Sequence, residues 1–230
     1  MGDKVTQAFE GLRRMISSGE LGPGDRLPGE VELCSRLDVS RSSLREAQKM
    51  LTVAGVLTLR PGAGSYVSQL SAEEFMSGLR IAVPLLPLDN FLSLYDMRLV
   101  LEGHAAGQAA ASFTDDQRAE LVDLAERIAS GPWGSEAEGL DDRFHELLVE
   151  GARNEPISAM LAIIRSRGRH YRVFDMDAHH EMKHESDAAH RRIARAVQDR
   201  DPDAARMEAM AHIATTRRWL GGIQPAPEPE

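Results

Sequence analysis

Cys34 is the only cysteine in 230 residues. The chain can therefore form neither a disulfide framework nor a cysteine-rich zinc site, and a reducing cytoplasm is the expected location. Aromatic residues make up 5% of the chain, below the density with which most sandwiches and barrels fill their cores. No stretch approaches the roughly 18 apolar residues of a membrane span, and the N-terminus (Met-Gly-Asp-Lys-Val-Thr-Gln) has no apolar segment followed by a cleavage site. Membrane and secreted classes are excluded on that reading. A surplus of positive charge is also missing: 27 Lys and Arg face 36 Asp and Glu, a net charge of -9, which argues against a general nucleic-acid binder. What remains, with 42% hydrophobic and 27% charged residues, is a globular, helix-rich chain long enough for two unequal domains.

The acidity is not evenly spread. Residues 1–70 hold 9 basic against 8 acidic residues, or +1, whereas residues 71–230 hold 18 against 28, or -10. Contact with a DNA duplex therefore has to come from the N-terminal part, where phosphates meet no excess of carboxylates. There, Val5, Ala8, Phe9, Leu12 and Ile16 recur at helical spacing until Gly19. A loop, Gly22-Pro-Gly-Asp-Arg-Leu-Pro28, leads to a short second helix ending at Leu37. Ser40 caps a third, with Leu44, Ala47, Leu51 and Ala54 on one face and Gly55 beyond it. The period then changes to that of two short strands, Val56–Arg60 and Ser65–Val67, around a Pro61-Gly-Ala-Gly64 tip.

Two helices joined by a tight turn and followed by a hairpin are the parts of a winged helix-turn-helix. The face of the third helix opposite Leu44, Ala47 and Leu51 carries Ser40, Arg41, Ser42, Arg45, Gln48 and Lys49. Arginine forks pair with guanine edges or phosphates, and a helix N-terminus offers N–H groups to phosphate. The same pattern also fits a merely solvated face on a structural cap. The segments Gly19–Pro28, Val39-Ser-Arg-Ser-Ser-Leu-Arg-Glu-Ala47 and Arg60-Pro-Gly-Ala-Gly-Ser-Tyr-Val67, in that order over about residues 5–68, resemble the DNA-binding domain of GntR-family transcription regulators. The resemblance implies that Arg41 and Arg45, with Ser42 and Ser43, act at the major groove and that Gly62 at the wing tip approaches the minor groove. Val31 stands where the family commonly has an arginine, and Gln48 where it has a leucine.

From Ser71 on, only helical patterns occur. The spacing predicts helices near 72–82, 88–111, 115–129, 136–151, 155–174, 179–199 and 202–220, and a disordered Pro-rich tail over 223–230. Domains are expected at 1–70 and 71–222. Asp141 and His145, four apart, share a helix face. His190 lies on a stripe with Ile193, Ala194 and Val197, and His212 lies among Ala205, Ala209, Thr216 and Trp219. A buried imidazole needs partners for both nitrogens and a buried carboxylate needs a counter-charge. Convergence on a metal would satisfy all four groups, although each histidine alone also fits a hydrogen-bonded core residue. His179, His180 and His184 read as surface residues, while His104 and His170 stay unassigned.

Asp141-Asp-Arg-Phe-His145 with Asn154, then His190-Arg-Arg-Ile193, Asp201, Ala204-Ala205 and His212, resemble the FCD effector domain of one GntR branch over about residues 75–220. That implies an antiparallel bundle of six or seven helices, with a metal site at Asp141, His145, His190 and His212. Asp142, about 100° around the helix, is the poorer carboxylate. Such a donor set takes one divalent transition metal, zinc first, with nickel, manganese or cobalt as alternatives, and leaves positions open for an acidic ligand. Arg98-Leu-Val-Leu-Glu102 resembles the Arg-x-x-x-Glu that opens the FCD bundle. Arg98 is thus either a clamp for an effector carboxylate or the ion-pair partner of Glu102. The expected protein is a cytoplasmic homodimeric repressor that binds operator DNA and is released by a small organic acid. The rival readings are a metal-dependent hydrolase, for which no general base is evident, and a DNA-free metal-binding module.

Overall fold

The computed structural model describes residues 2–132, 134–169 and 180–223. They form two compact units, Met1–Ala82 and Val83–Glu230. In the first, α1 (Asp3–Ser17), α2 (Glu30–Leu37) and α3 (Arg41–Val53) are followed by strands β1 (Leu57–Arg60) and β2 (Gly64–Val67). The strands pair antiparallel, from Leu57 opposite Val67 to Arg60 opposite Gly64. Helical spacing on α1 places Ala8, Leu12 and Met15 on one side, where they meet Leu33, Leu44, Ala47, Leu51, Leu57 and Val67 in a single core. Each fully buried leucine there contributes roughly 1.5–3 kcal/mol by leaving water. The 22–28 loop runs along the hairpin edge, with Gly24 N–H donating to the Val67 carbonyl at 3.0 Å and Leu27 N–H to Ser65 at 2.9 Å. Gly55, at φ +74, could not be another residue, because a Cβ there would lie 1.9 Å from the Glu74 carbonyl oxygen.

The single helix expected over 72–82 is two: α4 (Ala72–Phe75), opened by a Ser71/Glu74 capping box, and α5 (Ser77–Ala82). Between them Met76, at φ -88 and ψ 1, leaves helical geometry and buries its side chain. No proline or glycine marks the break, so periodicity carries no sign of it.

The second unit begins with a 3-10 turn (Val83–Leu85) and continues with α6 (Leu88–Ser112), α7 (Asp115–Ser130), α8 (Ser135–Glu150), α9 (Glu155–Arg169), α10 (His180–Gln198) and α11 (Pro202–Ile223). The fold is thus mainly helical, a winged helix-turn-helix followed by an all-helical bundle. Of the tail expected over 223–230, Ile223 belongs to α11 instead, and residues 224–230, like 170–179 between α9 and α10, lie outside the described residues. α6 packs against α8, α9, α10 and α11. Its middle is made of small residues, Gly103, Ala105, Ala106, Gly107, Ala109 and Ala110, all buried, which lets neighbouring helices come close. Gly151 at the end of α8 meets that surface: a Cβ there would stand 2.8 Å from the Ala109 backbone nitrogen.

Two buried arginines tie helix ends and turns together. Arg118 donates to the carbonyls of Ala110 at 2.9 Å, Val197 at 3.1 Å and Phe113. Arg167 on α9 donates to the carbonyls of Val83, Pro84 and Leu86, with its guanidinium 4.8 Å from the Phe91 ring centre. No helix among the described residues is long and apolar enough to cross a membrane.

Candidate functional site

The residues expected at the DNA groove gather at the start of α3. Ser40 has extended backbone geometry and its hydroxyl accepts from Ser43 N–H at 3.2 Å. Its oxygen also lies 2.9 Å from the Ser42 hydroxyl and 3.0 Å from that of Ser43. The remaining first-turn N–H groups point outward at the positive end of the helix, where a phosphate is favoured. Arg41, Ser42 and Arg45 are exposed, whereas Gln48, expected on the exposed face, is half-buried. Arg45 is already engaged: Nε donates to Glu30 Oε1 at 2.7 Å and Nη2 to Oε2 at 3.0 Å. Gly62 turns the hairpin tip at φ +73, with no neighbouring atom within 4 Å of where a Cβ would stand. Val31 is exposed on α2 beside Glu30.

The second cluster lies inside the bundle, where α8, α10 and α11 bring His145, His190 and His212 together. A nitrogen of each lies within 4.8 Å of the others, and all three side chains are buried. Nε2 of His190 stands 3.3 Å from Nε2 of His145. Asp141, one turn before His145 and partly buried, places Oδ1 3.4 Å from His190 Nε2 and 3.9 Å from His145 Nε2. The four residues singled out by spacing thus converge. Asp142 turns instead to Arg165, which donates to its Oδ1 at 2.9 Å and to Asp141 Oδ2 at 3.3 Å. Of the other histidines, His104 and His184 are exposed, and His170 and His179 lie outside the described residues.

Electrostatics fix the protonation pattern. Burial would raise the Glu102 pKa, but Arg98 and His145 outweigh it and hold the carboxyl well below its ordinary range. An ionised Glu102 can only accept, so the 2.7 Å contact to its Oε2 is donated by His145 Nδ1–H. That leaves Nε2 of His145 as the atom facing the cluster, the arrangement in which a carboxylate orients a metal-binding imidazole. Burial lowers His190 to about 3, and it lowers His212 well below its ordinary value too. Both rings are neutral and available as ligands at neutral pH. Asp141 is held below the ordinary carboxylate range because His145, His190 and Arg165 overcome its desolvation. The donor set fits a metal in chemistry, and one separation fits in geometry: two nitrogens bound tetrahedrally to one zinc at about 2.05 Å stand roughly 3.3 Å apart, close to the His145–His190 separation.

Arg98 takes the ion-pair role, its Nε donating to Glu102 in a pair that is 7% and 4% exposed. The spacing that points to Glu102 as the partner of Arg98 says nothing of its second oxygen, which reaches across to α8. Arg165 is likewise missing from the residues that the sequence singles out. The available signal is an arginine directly after Leu161, Ile163 and Ile164, all buried on α9.

A reading helix with a capped, basic start, in a chain whose other unit encloses a cluster of ligand-type residues, is the build of a DNA-binding transcription regulator. Residues 4–67 match the family described as bacterial regulatory proteins, gntR family, and residues 93–215 match the FCD domain. The Nta operon transcriptional regulator of Aminobacter aminovorans is 32% identical over 201 residues, covering 86% of each chain. The transcriptional repressor NanR of Klebsiella aerogenes is 31% identical over 224 residues, 92% of this chain and 84% of that protein. A GntR structure from Streptococcus agalactiae, 30% identical, superimposes with a TM-score of 0.57 over 93% of this chain and 99% of its own. The chain belongs to the GntR family of transcription regulators, in the branch with an FCD domain. That family consists of regulators rather than enzymes.

Proposed function

We propose that the chain is a metal-dependent, acid-sensing repressor that binds a near-palindromic operator as a homodimer. Residues 1–70 are its DNA-reading part and the helical bundle holds the effector and the dimer contact. A lone reading helix covers only a few base pairs, and two-fold pairing doubles the contacts. The observation that carries the sensing role is the convergence of three buried imidazoles with the Asp141 carboxylate beside them. A divalent transition metal held by Asp141, His145, His190 and His212 supplies a Lewis-acidic centre with positions left for a carboxylate. Glu102 orients His145, and Arg165 holds Asp141 through its second oxygen. Arg98 and Arg165 add positive charge that favours an organic anion inside an otherwise acidic unit. The acid changes DNA affinity by preferring one state of the bundle over another. The relatives include a protein named as a repressor and one named as an activator of the Glc operon in Escherichia coli. Relief of repression is the sign proposed for this chain.

The test joins three measurements. Elemental analysis should find one metal per chain, lost in His145→Ala/His190→Ala and bound about 10- to 100-fold more weakly in Glu102→Gln. Calorimetry with a panel of carboxylates should detect binding to the loaded protein and none after chelation, and the bound acid should weaken operator binding. Arg41→Ala should weaken operator binding by about 1–3 kcal/mol. Full occupancy in the double mutant would remove the metal site, and acid binding that survives chelation undiminished would make the metal structural. Operator binding untouched in Arg41→Ala would overturn the placement of α3.

A further inference from the structure

The Glu30–Arg45 pair spans α2 and α3 on the exposed side of the reading helix, with side chains 37% and 63% exposed. Ion pairs this open to water are screened by solvent, and the two-point geometry of this one fixes the direction of the fork whatever it adds to stability. Of the five N–H bonds of a guanidinium, the pair uses two, one on Nε and one on Nη2, which together form the side edge of the fork. The end edge, Nη1 with the second Nη2 hydrogen, is left to other acceptors. Glu30 is ionised, held below the ordinary carboxylate range by its hydrogen bonds from Arg45, with Arg41 adding to the effect.

We infer that Glu30 is a positioning residue for DNA reading, one that discriminates between phosphate and base as the partner of Arg45. The inference rests on the DNA-binding reading of α3. A phosphate approaching Arg45 meets a carboxylate already on the side edge and is repelled by it. A guanine edge is uncharged, offers O6 and N7 as acceptors, and takes the end edge without that repulsion. Sequence-independent affinity comes from phosphate neutralisation, so Glu30 lowers it while leaving the base contact in place. It also keeps the fork from swinging among neighbouring phosphates.

The experiment is a salt series of binding measurements with Glu30→Gln on two duplexes: an operator selected from random sequences by the parent protein, and a scrambled duplex of equal length. Glutamine keeps the shape and one acceptor but removes the charge. Binding to the scrambled duplex should strengthen severalfold, and the slope of log affinity against log salt should steepen by about 0.9, one phosphate contact. The operator preference should fall by about fivefold or more. Glu30→Asp, which retains the charge, should keep the parent slope. In an Arg45→Gln background, Glu30→Gln should no longer steepen it. An unchanged slope and preference in Glu30→Gln would overturn the inference, and so would a steeper slope that persists without Arg45, since Glu30 would then act only as a general negative charge. Arg41→Ala separates the two readings: weakened operator binding with a silent Glu30→Gln leaves α3 in the groove and removes only the role given to Glu30.

Discussion

Among the described residues both units carry surface arginines, but only the bundle buries any. In the first, Arg36 and Arg45 lie at the surface, 42% and 63% exposed, and share carboxylates with Glu20, Glu32 and Glu30. In the bundle, Arg118 and Arg167 are 4% exposed and spend their N–H groups on backbone carbonyls, while Arg98 and Arg165 are buried against carboxylates. An exposed arginine can take up a further partner at little cost, because the edge it offers is already in contact with water. A buried one cannot be released without stranding desolvated groups. One unit is thus suited to a partner that comes and goes, and the other to a frame that keeps a ligand cluster in place.

The contrast can be broken most severely at Arg118. Arg118→Met keeps the aliphatic stem but strands three carbonyls at the ends of α6 and α10, and it should cost about 3–5 kcal/mol in urea unfolding. A loss below about 1 kcal/mol would mean that the buried arginines are no more structural than the exposed ones. A smaller effect sharpens the comparison within the bundle. In chelator-treated protein, His190 has its pKa lowered from an ordinary 6.5 to about 3. Between those values the unfolded chain binds more protons than the folded one, so stability rises with pH across the window and falls on acidification below 6.5. The loss is at most about 1.4 kcal/mol per pH unit for this ring. His212 acts in the same direction, and Asp141 and Glu102 withdraw their contributions only at lower pH. Thermal melts of the metal-free protein should be flat above pH 7 and decline below 6.5, and a flat profile down to pH 5 would contradict the buried neutral rings. The smallest effect belongs to Arg36→Ala, which should leave the melting temperature unchanged within error. A clear drop there would show that the surface pairs of the first unit also hold the fold.

What the sequence reveals depends on whether a residue's partner is near it along the chain. Ser40, Asp141 with His145, and Arg98 with Glu102 find partners within one helical turn, so spacing displays them. His190 and His212 are legible for another reason: a polar ring on an otherwise apolar stripe has to meet something inside. Glu102 to His145 and Arg165 to Asp141 cross between helices, and no local pattern encodes which helix lies opposite. The pairing of Arg45 with Glu30 is hidden in the same way, 15 residues apart across a turn. The break at Met76 escapes the periodicity because it depends on where that side chain is buried, not on a breaker residue. The starts of α6, α7, α8 and α11 are marked by Pro87, Thr114, Gly131-Pro132 and Pro202 and are readable from them.

The three carbonyls held by Arg167 bear on how this protein could be re-engineered. Val83, Pro84 and Leu86 open the second unit ahead of its first long helix, and their oxygens are bound by a side chain of α9. A chimaera that gave the bundle a different reading head by splicing at Pro87, where α6 visibly begins, would strip those acceptors from a desolvated guanidinium and damage the recipient. The fusion point that preserves the bundle lies before Val83, so the 3-10 turn should travel with the sensor and not with the DNA-binding part.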